Sequence, residues 1–445
     1  MFAKKNVKNI YPLTPMQEAM LFQALYDSSS SAHCEQSFYH ISGKLNVRIF
    51  EAVWNEIVRR HDILRTIFVH KEVPRPLQIV LKQRKIDFHF KDIRLLSQKE
   101  QDAYCEREKE KDWQKPYDLS KDVLMRFSLF QIGAKSFNVL WSYHHILIDG
   151  WSGSIINDEF YRIYKDLAKG IKPSLNSVVP FALYIKWLKK QDKKSGLLYW
   201  REYLRGYIRP AGLPRTISQE QTAYHAETFC FELDEATTDA LQRIASKNLI
   251  SINTVIQSIW GILLGKCNGL NDVVFGAVVS GRPAEIRGIE NMVGLLINLI
   301  PVRIRFTPSQ SFKDIMLKVH DDSIKGKTCH YCSLARIQAE TALKRNLLDH
   351  VLVFENYPET AVNLSDEQSD DTLVIDRFEH ADHTNYDLNI QIEPGKKLYF
   401  RIRGVEKNNH PNPHPMTLPM DARIKSRIKK IKHGFTIEEE NKCQI

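Results

Sequence analysis

The chain has 445 residues, of which 43% are apolar and 26% are charged, a composition typical of globular proteins. These values exclude disorder, collagen and coiled coil as descriptions of the whole chain, and the length predicts two or three domains. The net charge of +10 arises partly in the basic segment 421–433, so the composition does not indicate a nucleic-acid-binding face spread over the fold.

Helix and strand signals alternate along the first 175 residues. Thr14 and Pro15 predict the start of a helix, and an apolar stripe at helical spacing predicts another over residues 49–58. A third helix is predicted over residues 154–169, with Ser152 as its N-cap. Strands are predicted over residues 37–45, 79–81, 86–90, 124–132 and 137–143.

The composition of residues 171–180 predicts a linker, after which a second series of helices and strands begins. We therefore predict an N-terminal lobe over residues 1–175 and a C-terminal lobe over residues 176–404. The last strand, over residues 398–403, is expected to leave a neighbour uncovered. The prolines between 411 and 419 and the basic segment that follows predict an irregular tail over residues 405–445.

The seven cysteines are few and odd in number, unlike a disulfide framework, and predict reduced thiols. Cys329 and Cys332 have C-x-x-C spacing, but no second Cys/His pair lies nearby, so no metal site is predicted. The chain shows neither the apolar run of a signal peptide nor the ~18 uninterrupted apolar residues of a membrane span. We expect a cytoplasmic protein that binds neither membrane nor nucleic acid.

Residues 143–152 hold the strongest candidate site, between a predicted strand and a predicted helix. Neighbouring side chains of an extended backbone point to opposite faces, so His144 and His145 should lie in different environments. A neutral imidazole there can accept or steer a proton, although a structural role for both rings stays open. Asp149 lies in an apolar run and needs a partner, either His145 or a distant arginine. For Ser152 a capping role is favoured over that of a hydrolase nucleophile.

Two later segments are also candidates for the site. Arg282 lies on a turn after a strand predicted over residues 273–279, where a plain surface turn is the alternative. Asn298 lies in an apolar run and must find hydrogen-bond partners, and a purely structural role is equally compatible with that position.

The segment from His144 to Gly150 resembles the H-H-x-x-x-D-G motif of nonribosomal peptide synthetase condensation domains, within the chloramphenicol-acetyltransferase-like superfamily. Four further segments resemble motifs of that family in the same order: residues 11–22, 60–68, 292–303 and 347–358. The resemblance covers about residues 9–403. Ala19, Gln23 and Leu296 depart mildly from the family pattern, and after Arg403 the usual closing strand and helix are replaced by the irregular tail.

The resemblance implies an α+β fold of two chloramphenicol-acetyltransferase-like lobes, each a mixed sheet with flanking helices, arranged as a V-shaped pseudo-dimer. It implies amide-bond formation between a donor acyl or peptidyl thioester and an acceptor aminoacyl amine. Both substrates arrive on the phosphopantetheine arms of peptidyl carrier proteins, and the domain itself binds no cofactor. An adenylation domain and other synthetase modules are further expected partners.

The resemblance also assigns roles to individual residues. His145 is the expected catalytic residue, and an ion pair is expected between Asp149 and Arg282, drawn from different lobes. A supporting role in the active site is expected for His144, Asp149, Gly150, Trp151 and Asn298.

Several alternatives stay open. Epimerization domains share the histidine motif but continue it differently, and heterocyclization domains replace the His pair with Asp. A free-standing acyltransferase that uses CoA-type donors is compatible with a chain of this length. A truncated or inactive fragment that serves as a docking module is compatible with the altered tail.

Overall fold

The computed structural model describes residues 4–26, 33–212, 226–357, 373–382, 386 and 388–405. The predicted irregular tail lies, apart from residue 405, outside the described residues. Within the described part the helices are α1 (Pro15–Tyr26), α2 (Val47–Arg60), α3 (Gln98–Trp113), α4 (Gly150–Ala168), α5 (Phe181–Lys190), α6 (Lys193–Tyr203), α7 (Glu235–Lys247), α8 (Ile252–Asn268), α9 (Phe312–Lys327) and α10 (Leu334–Ala339).

The same residues form fourteen strands, and all the strands predicted above are among them with shifted ends. They are β1 (Val7–Pro12), β2 (Cys34–Ser42), β3 (Thr66–Val69), β4 (Leu77–Leu81), β5 (Asp87–Asp92), β6 (Met125–Gly133), β7 (Ser136–His144), β8 (Ala226–Glu232), β9 (Asp272–Val279), β10 (Asn298–Arg305), β11 (Val351–Phe354), β12 (Val374–Asp382), β13 (Leu388–Glu393) and β14 (Tyr399–Val405).

The residues of the chain pack into two compact units, each with most of its contacts inside itself. Among the described residues, the first comprises those up to 191 together with two later segments, 282–297 and 357–382, and the second comprises the remainder. This division differs from the contiguous lobes predicted over 1–175 and 176–404. The difference has a physical origin, since β12 pairs with β2 and the segment 282–297 hydrogen-bonds to the first turn of α4.

The first unit contains a five-stranded mixed sheet in the order β12-β2-β7-β6-β5 and a three-stranded antiparallel sheet in the order β1-β4-β3. Only β5 and β6 pair in parallel within the five-stranded sheet. Helices α2 and α4 pack on it through an aromatic cluster of Phe50, Trp54, Phe127, Trp141 and Phe160, in which the rings of Trp54 and Phe127 are 4.2 Å apart. This core fixes β7 and α4, the two elements that flank the histidines.

The starts of α1 and α4 in this unit are set by capping side chains. Thr14 and Gln17 exchange hydrogen bonds at the start of α1, as the sequence predicted for that position. Helix α4 begins four residues earlier than predicted, because Asp149 accepts the backbone N–H of Ser152. The prediction of Ser152 as the N-cap is therefore wrong, since Ser152 lies in the first turn.

The second unit contains a six-stranded mixed sheet in the order β10-β9-β11-β13-β14-β8, in which β11 is parallel to both of its neighbours. Its core includes α8, and a Cβ built at Gly261 would lie 2.3 Å from Ile304, so only glycine allows this close approach. Strand β14 pairs with β13 on one side and β8 on the other. Its neighbour β8 is the last strand of this sheet in the described part of the chain, so the expectation of an uncovered neighbour stays a prediction, whereas the predicted α+β class is confirmed.

Among the described helices none is by itself long and apolar enough to cross a membrane. Helices α7 and α8 have the length and composition of a membrane span only as a pair, and they bend by 107° at the break between them.

Candidate functional site

The loop of residues 145–149 carries the candidate site and is held between β7 and α4, two elements fixed by the aromatic core. The backbone N–H of His145 donates to the carbonyl of His33, just before β2, at 2.8 Å. The pairing of β2 with β7 therefore continues one residue beyond β7, and the two adjacent histidine side chains leave on opposite faces of the sheet.

His144 is buried and held in its neutral form. Its side chain accepts the backbone N–H of Ile146 at Nδ1, over 3.1 Å, and the residue is 3% exposed. Burial lowers the pKa of His144 well below its usual value, and the nearby His33 and His145 lower it further. Through its contact with the backbone N–H of Ile146, the His144 side chain stabilises the loop of residues 145–149.

His145 faces outward, with about a quarter of its side chain exposed. Its Nδ1 lies 2.6 Å from the carbonyl oxygen of Ile148. Since a carbonyl can only accept, Nδ1 is the donor of this contact, and in the neutral imidazole Nε2 then offers the lone pair. That Nε2 lies 3.9 Å from Oε1 of Glu35, beyond hydrogen-bond distance. The ring is thus fixed in the tautomer that a proton acceptor requires.

Asp149 is fully buried, and both of its carboxylate oxygens are occupied. Oδ1 accepts from the backbone N–H of Ser152 at 2.8 Å and lies 2.7 Å from the Ser152 hydroxyl. Oδ2 accepts from the backbone N–H of Leu296 at 3.0 Å. Asp149 therefore joins the start of α4 to the segment 282–297 and is not bonded to His145, the other partner that its spacing allowed.

The structure brings Arg282 and Asp149 together within the first unit. Nη2 of Arg282 donates to Asp149 Oδ1 at 3.1 Å, and the two side chains are 5% and 0% exposed. Nη1 donates to the carbonyls of Ile289 and Met292, both at 2.8 Å. Burial lowers the pKa of the Arg282 guanidinium, and the charge of Asp149 opposes that shift. The predicted contact between these two side chains is present, and in the observed division both residues belong to the first unit.

Gly150 and Trp151 have defined steric and polar roles at the start of α4. A Cβ built at Gly150 would lie 2.3 Å from the ring of Tyr357, so the close approach of that ring requires glycine. The Trp151 indole N–H donates to the carbonyl of Glu290 at 2.8 Å, and the Arg282 guanidinium lies 5.2 Å from its ring centroid. Both residues therefore fix the segments beside the loop.

Asn298 lies in the second unit, at the start of β10. Its amide nitrogen donates to the carbonyls of His330 and Cys332, at 2.6 and 2.8 Å. These contacts support the turn over residues 329–332, which matches the structural alternative for Asn298. Its predicted part in the active site stays a prediction.

The C-x-x-C segment is built from buried thiols. Burial raises the pKa of Cys329, and it raises the pKa of Cys332 to about 12, so neither is a ready thiolate. Across the described ranges no group of three or more His, Cys, Asp or Glu side chains could hold a metal ion.

The sequence interpretation missed two residues of the candidate site, Glu35 and His380. Glu35 lies on β2 directly opposite Tyr143 of β7, so His145 is its diagonal neighbour on the same face. His380 lies on β12, with its Nε2 2.8 Å from Oε2 of Glu35. Residues 37–45 predicted a strand, but no local signal indicated its neighbours.

The chain matches the family model for the Condensation domain over residues 7–404. Gramicidin S synthase 2 from Brevibacillus brevis is 40% identical over 408 residues, which are 90% of this chain and 9% of that protein. Tyrocidine synthase 2 from Brevibacillus parabrevis is 39% identical over 402 residues, which are 90% of this chain and 11% of that protein. The chain thus spans about a tenth of the length of these relatives.

Two groups of solved structures share the fold. The first condensation domain of the calcium-dependent antibiotic synthetase, in complex with a substrate analogue, has a TM-score of 0.72 at 17% identity, over 96% of this chain and 95% of that one. The starter condensation domain of rhizomide synthetase, as a variant in complex with C8-CoA and Leu-SNAC, has a TM-score of 0.71 at 15% identity, over 89% and 88%. At such identities the likeness concerns the fold, and it confirms the predicted fold class.

Proposed function

Because the chain belongs to the condensation-domain family of nonribosomal peptide synthetases, we propose that it joins a donor acyl or peptidyl thioester to the amine of an acceptor aminoacyl thioester. The product is an amide, and the donor thiol is released. Holding two tethered reactants side by side makes the reaction effectively intramolecular, which can supply about 7–11 kcal/mol of the barrier.

The single observation that carries this proposal is the state of the His145 ring. Its Nδ1 donates to the carbonyl of Ile148, so Nε2 presents a lone pair on the exposed side. A positioned imidazole of this kind accelerates proton transfer by about 10²–10⁴-fold. We assign His145 the task of accepting a proton from the attacking amine.

The other motif residues act through His145 in this proposal. Asp149 receives four hydrogen bonds and has no contact with the ring, so its task is to hold the loop together with Arg282. His144 is buried and neutral, and its task is to support the backbone at Ile146. Gly150 and Trp151 keep the start of α4 in place.

Carrier proteins are the partners that this reaction requires. The relatives at about 40% identity are synthetases roughly ten times longer than this chain, which supports peptidyl carrier proteins on both the donor and acceptor sides. In this proposal the substrates arrive on phosphopantetheine arms, and the chain itself holds no cofactor. Adenylation domains and further modules of a cytoplasmic synthetase would load those carriers.

The test is amide formation from two loaded carrier proteins. We expect His145→Ala to lower the rate by about 10²–10⁴-fold while the melting temperature stays close to that of the native chain. His89→Ala is the matched control, because His89 lies on β5 with 69% of its side chain exposed. A full rate in folded His145→Ala, with the loss in His144→Ala instead, would contradict the assignment. A CoA-bound donor that reacts as fast as the carrier-bound donor would favour the free-standing acyltransferase.

A further inference from the structure

Glu35 is a buried carboxylate placed between two imidazole rings, one of which is that of His145. Its side chain is 9% exposed. Oε2 lies 2.8 Å from Nε2 of His380, whereas Oε1 lies 3.9 Å from Nε2 of His145. One carboxylate oxygen is therefore within bonding distance of His380, and the other faces the exposed ring without a hydrogen bond between them.

The register of three strands produces this arrangement. In antiparallel pairing, residues directly opposite each other share a face of the sheet. Glu35 is opposite Tyr143 of β7, which places His145, two residues further on, on the face of Glu35. On the other side His380 of β12 is opposite Ser37, and its Nδ1 lies 3.1 Å from the Ser37 hydroxyl. The three side chains are thus held by backbone pairing on both sides of β2.

The two atoms that face each other both accept hydrogen bonds. Nδ1 of His145 donates to the carbonyl of Ile148, so in the neutral ring Nε2 offers a lone pair, and an ionised carboxylate oxygen only accepts. Two acceptors 3.9 Å apart do not bind each other. A single nitrogen with two N–H groups can donate to both atoms at about 2.8–2.9 Å, the usual length of such a hydrogen bond. This is possible because the 3.9 Å between His145 Nε2 and Glu35 Oε1 is shorter than the sum of the two hydrogen-bond lengths.

The acceptor substrate of the proposed reaction carries such a group. A free α-amino group has a pKa of about 7.7–8.0, so at neutral pH most of it is a positively charged ammonium with three N–H donors. A carboxylate favours this charged form, whereas the reaction requires a neutral amine. The site therefore needs one group that binds the ammonium and a second that removes its proton.

We propose that Glu35 and His145 bind the α-ammonium group of the acceptor together, an inference that rests on the proposed function. Glu35 Oε1 accepts one N–H, and His145 Nε2 takes the proton that leaves before the attack. The neutral nitrogen then forms the C–N bond, and the C–S bond of the donor thioester breaks. Two protons leave the nitrogen in all, of which one protonates the departing thiolate and the other passes to solvent.

This arrangement selects an amine over a hydroxyl as the nucleophile. An α-hydroxyacyl acceptor has no charge to pair with Glu35 and only one donor to share between the two acceptors. Removal of the Glu35 charge should therefore weaken the amine acceptor and leave the hydroxyl acceptor nearly unchanged. The donor thioester does not contact Glu35 in this arrangement, so its KM should stay the same.

The experiment compares Glu35→Gln with the native chain, with a carrier-bound donor and soluble aminoacyl or α-hydroxyacyl thioesters of N-acetylcysteamine as acceptors. We expect the KM for the aminoacyl acceptor to rise at least 10-fold, the KM for the donor to stay within 2-fold, and the amine-to-hydroxyl ratio of kcat/KM to fall at least 10-fold. The matched control is Asp376→Asn, which removes another carboxylate paired with a histidine across β2 and β12, the 2.8 Å contact to His40.

An unchanged amine-to-hydroxyl ratio in Glu35→Gln would overturn the inference, and so would an equal rise of both KM values, which is the signature of a structural role. If the melting temperature of Glu35→Gln lies far below that of the native chain, Glu35→Asp is used instead. It keeps the negative charge but is shorter by one methylene, and the same fall of the amine-to-hydroxyl ratio of kcat/KM is expected. The proposed function is tested separately, and it fails if the native chain forms no amide. If the native chain forms the amide in a His145-dependent reaction, but the Glu35 variants keep the amine-to-hydroxyl ratio of the native chain, only this inference is rejected.

Discussion

Asp149 and Glu35 are two buried carboxylates of the same unit, and they differ in what their oxygens contact. Asp149 receives N–H and O–H groups from Ser152, Arg282 and Leu296, within 2.7–3.1 Å. Glu35 has the His380 ring at one oxygen and the acceptor nitrogen of His145 at 3.9 Å from the other.

These contacts indicate which of the two carboxylates can bind a substrate. A carboxylate surrounded by donors from three segments fixes their relative positions, and a further ligand would have to break existing bonds. A carboxylate that faces another acceptor leaves a place for a donor from outside. The same contrast separates His144, which accepts a backbone N–H and is buried, from His145, whose Nε2 is directed to the exposed side.

The largest effect on stability is expected at Asp149, and it tests the first half of the comparison. Asp149→Asn removes the charge that Arg282 needs and turns an NH₂ group toward existing donors, so the free energy of unfolding should fall by about 3–5 kcal/mol. Urea denaturation measures it. Asp158→Asn is the control on the same helix, because its pair with Arg162 is well exposed and should contribute about 0.5 kcal/mol or less. Equal losses in the two variants would contradict the assignment.

The next effect is a pH dependence that arises at His144. Burial lowers the pKa of His144 in the folded state, so below about pH 6.5 the unfolded chain binds a proton that the folded chain does not. The stability is therefore fully present above about pH 6.5 and falls as the pH decreases. His144→Asn should flatten this decline between pH 6.5 and 5, measured by urea denaturation at several pH values. The same decline in the native chain and in His144→Asn would show that other groups cause it.

A smaller loss is expected at Ser152, which connects Asp149 to the segment 282–297. Its hydroxyl lies 2.8 Å from the carbonyl of Gly294 and accepts the N–H of that residue at 3.0 Å. Ser152→Ala leaves these buried groups without a partner and should cost about 1–3 kcal/mol. Ser154→Ala is the control, because its hydroxyl makes only a 3.5 Å contact within the helix. Since Ser152 is fully buried, amide formation should persist in folded Ser152→Ala, whereas complete inactivity would favour a nucleophilic role.

The smallest change in stability is expected at Glu35, where the same type of substitution can be compared directly with that at Asp149. Glu35→Gln is the same carboxylate-to-amide replacement as Asp149→Asn, but its carbonyl can still accept from His380. We expect a loss below about 1 kcal/mol in the free energy of unfolding, close to that of a single neutral hydrogen bond. A loss as large as that of Asp149→Asn would place Glu35 among the residues that only maintain the fold.

Much of the fold could be predicted from the sequence because its signals are local. The alternation of residues 137–143 and the helical stripe of residues 49–58 both correspond to observed elements, β7 and α2. The start of α4 was misplaced because the cap is Asp149 rather than Ser152, and both residue types are good N-caps. The division into units departs from the prediction because residues 282–297 and 373–382 pack with the first unit, and no linker signal marks such a return.

Local sequence patterns were enough to predict the adjacent histidines on a strand-to-helix loop, their opposite faces, and the need of a carboxylate in an apolar run for a partner. These follow from the two-residue period of a strand and from the cost of burying a charge. The tertiary structure was needed to show that Glu35 and His380 share the face of His145 and that Arg282 contacts Asp149 within the same unit. Strand order and register join residues more than a hundred positions apart, and they are set by burial of the whole core, which no local pattern encodes.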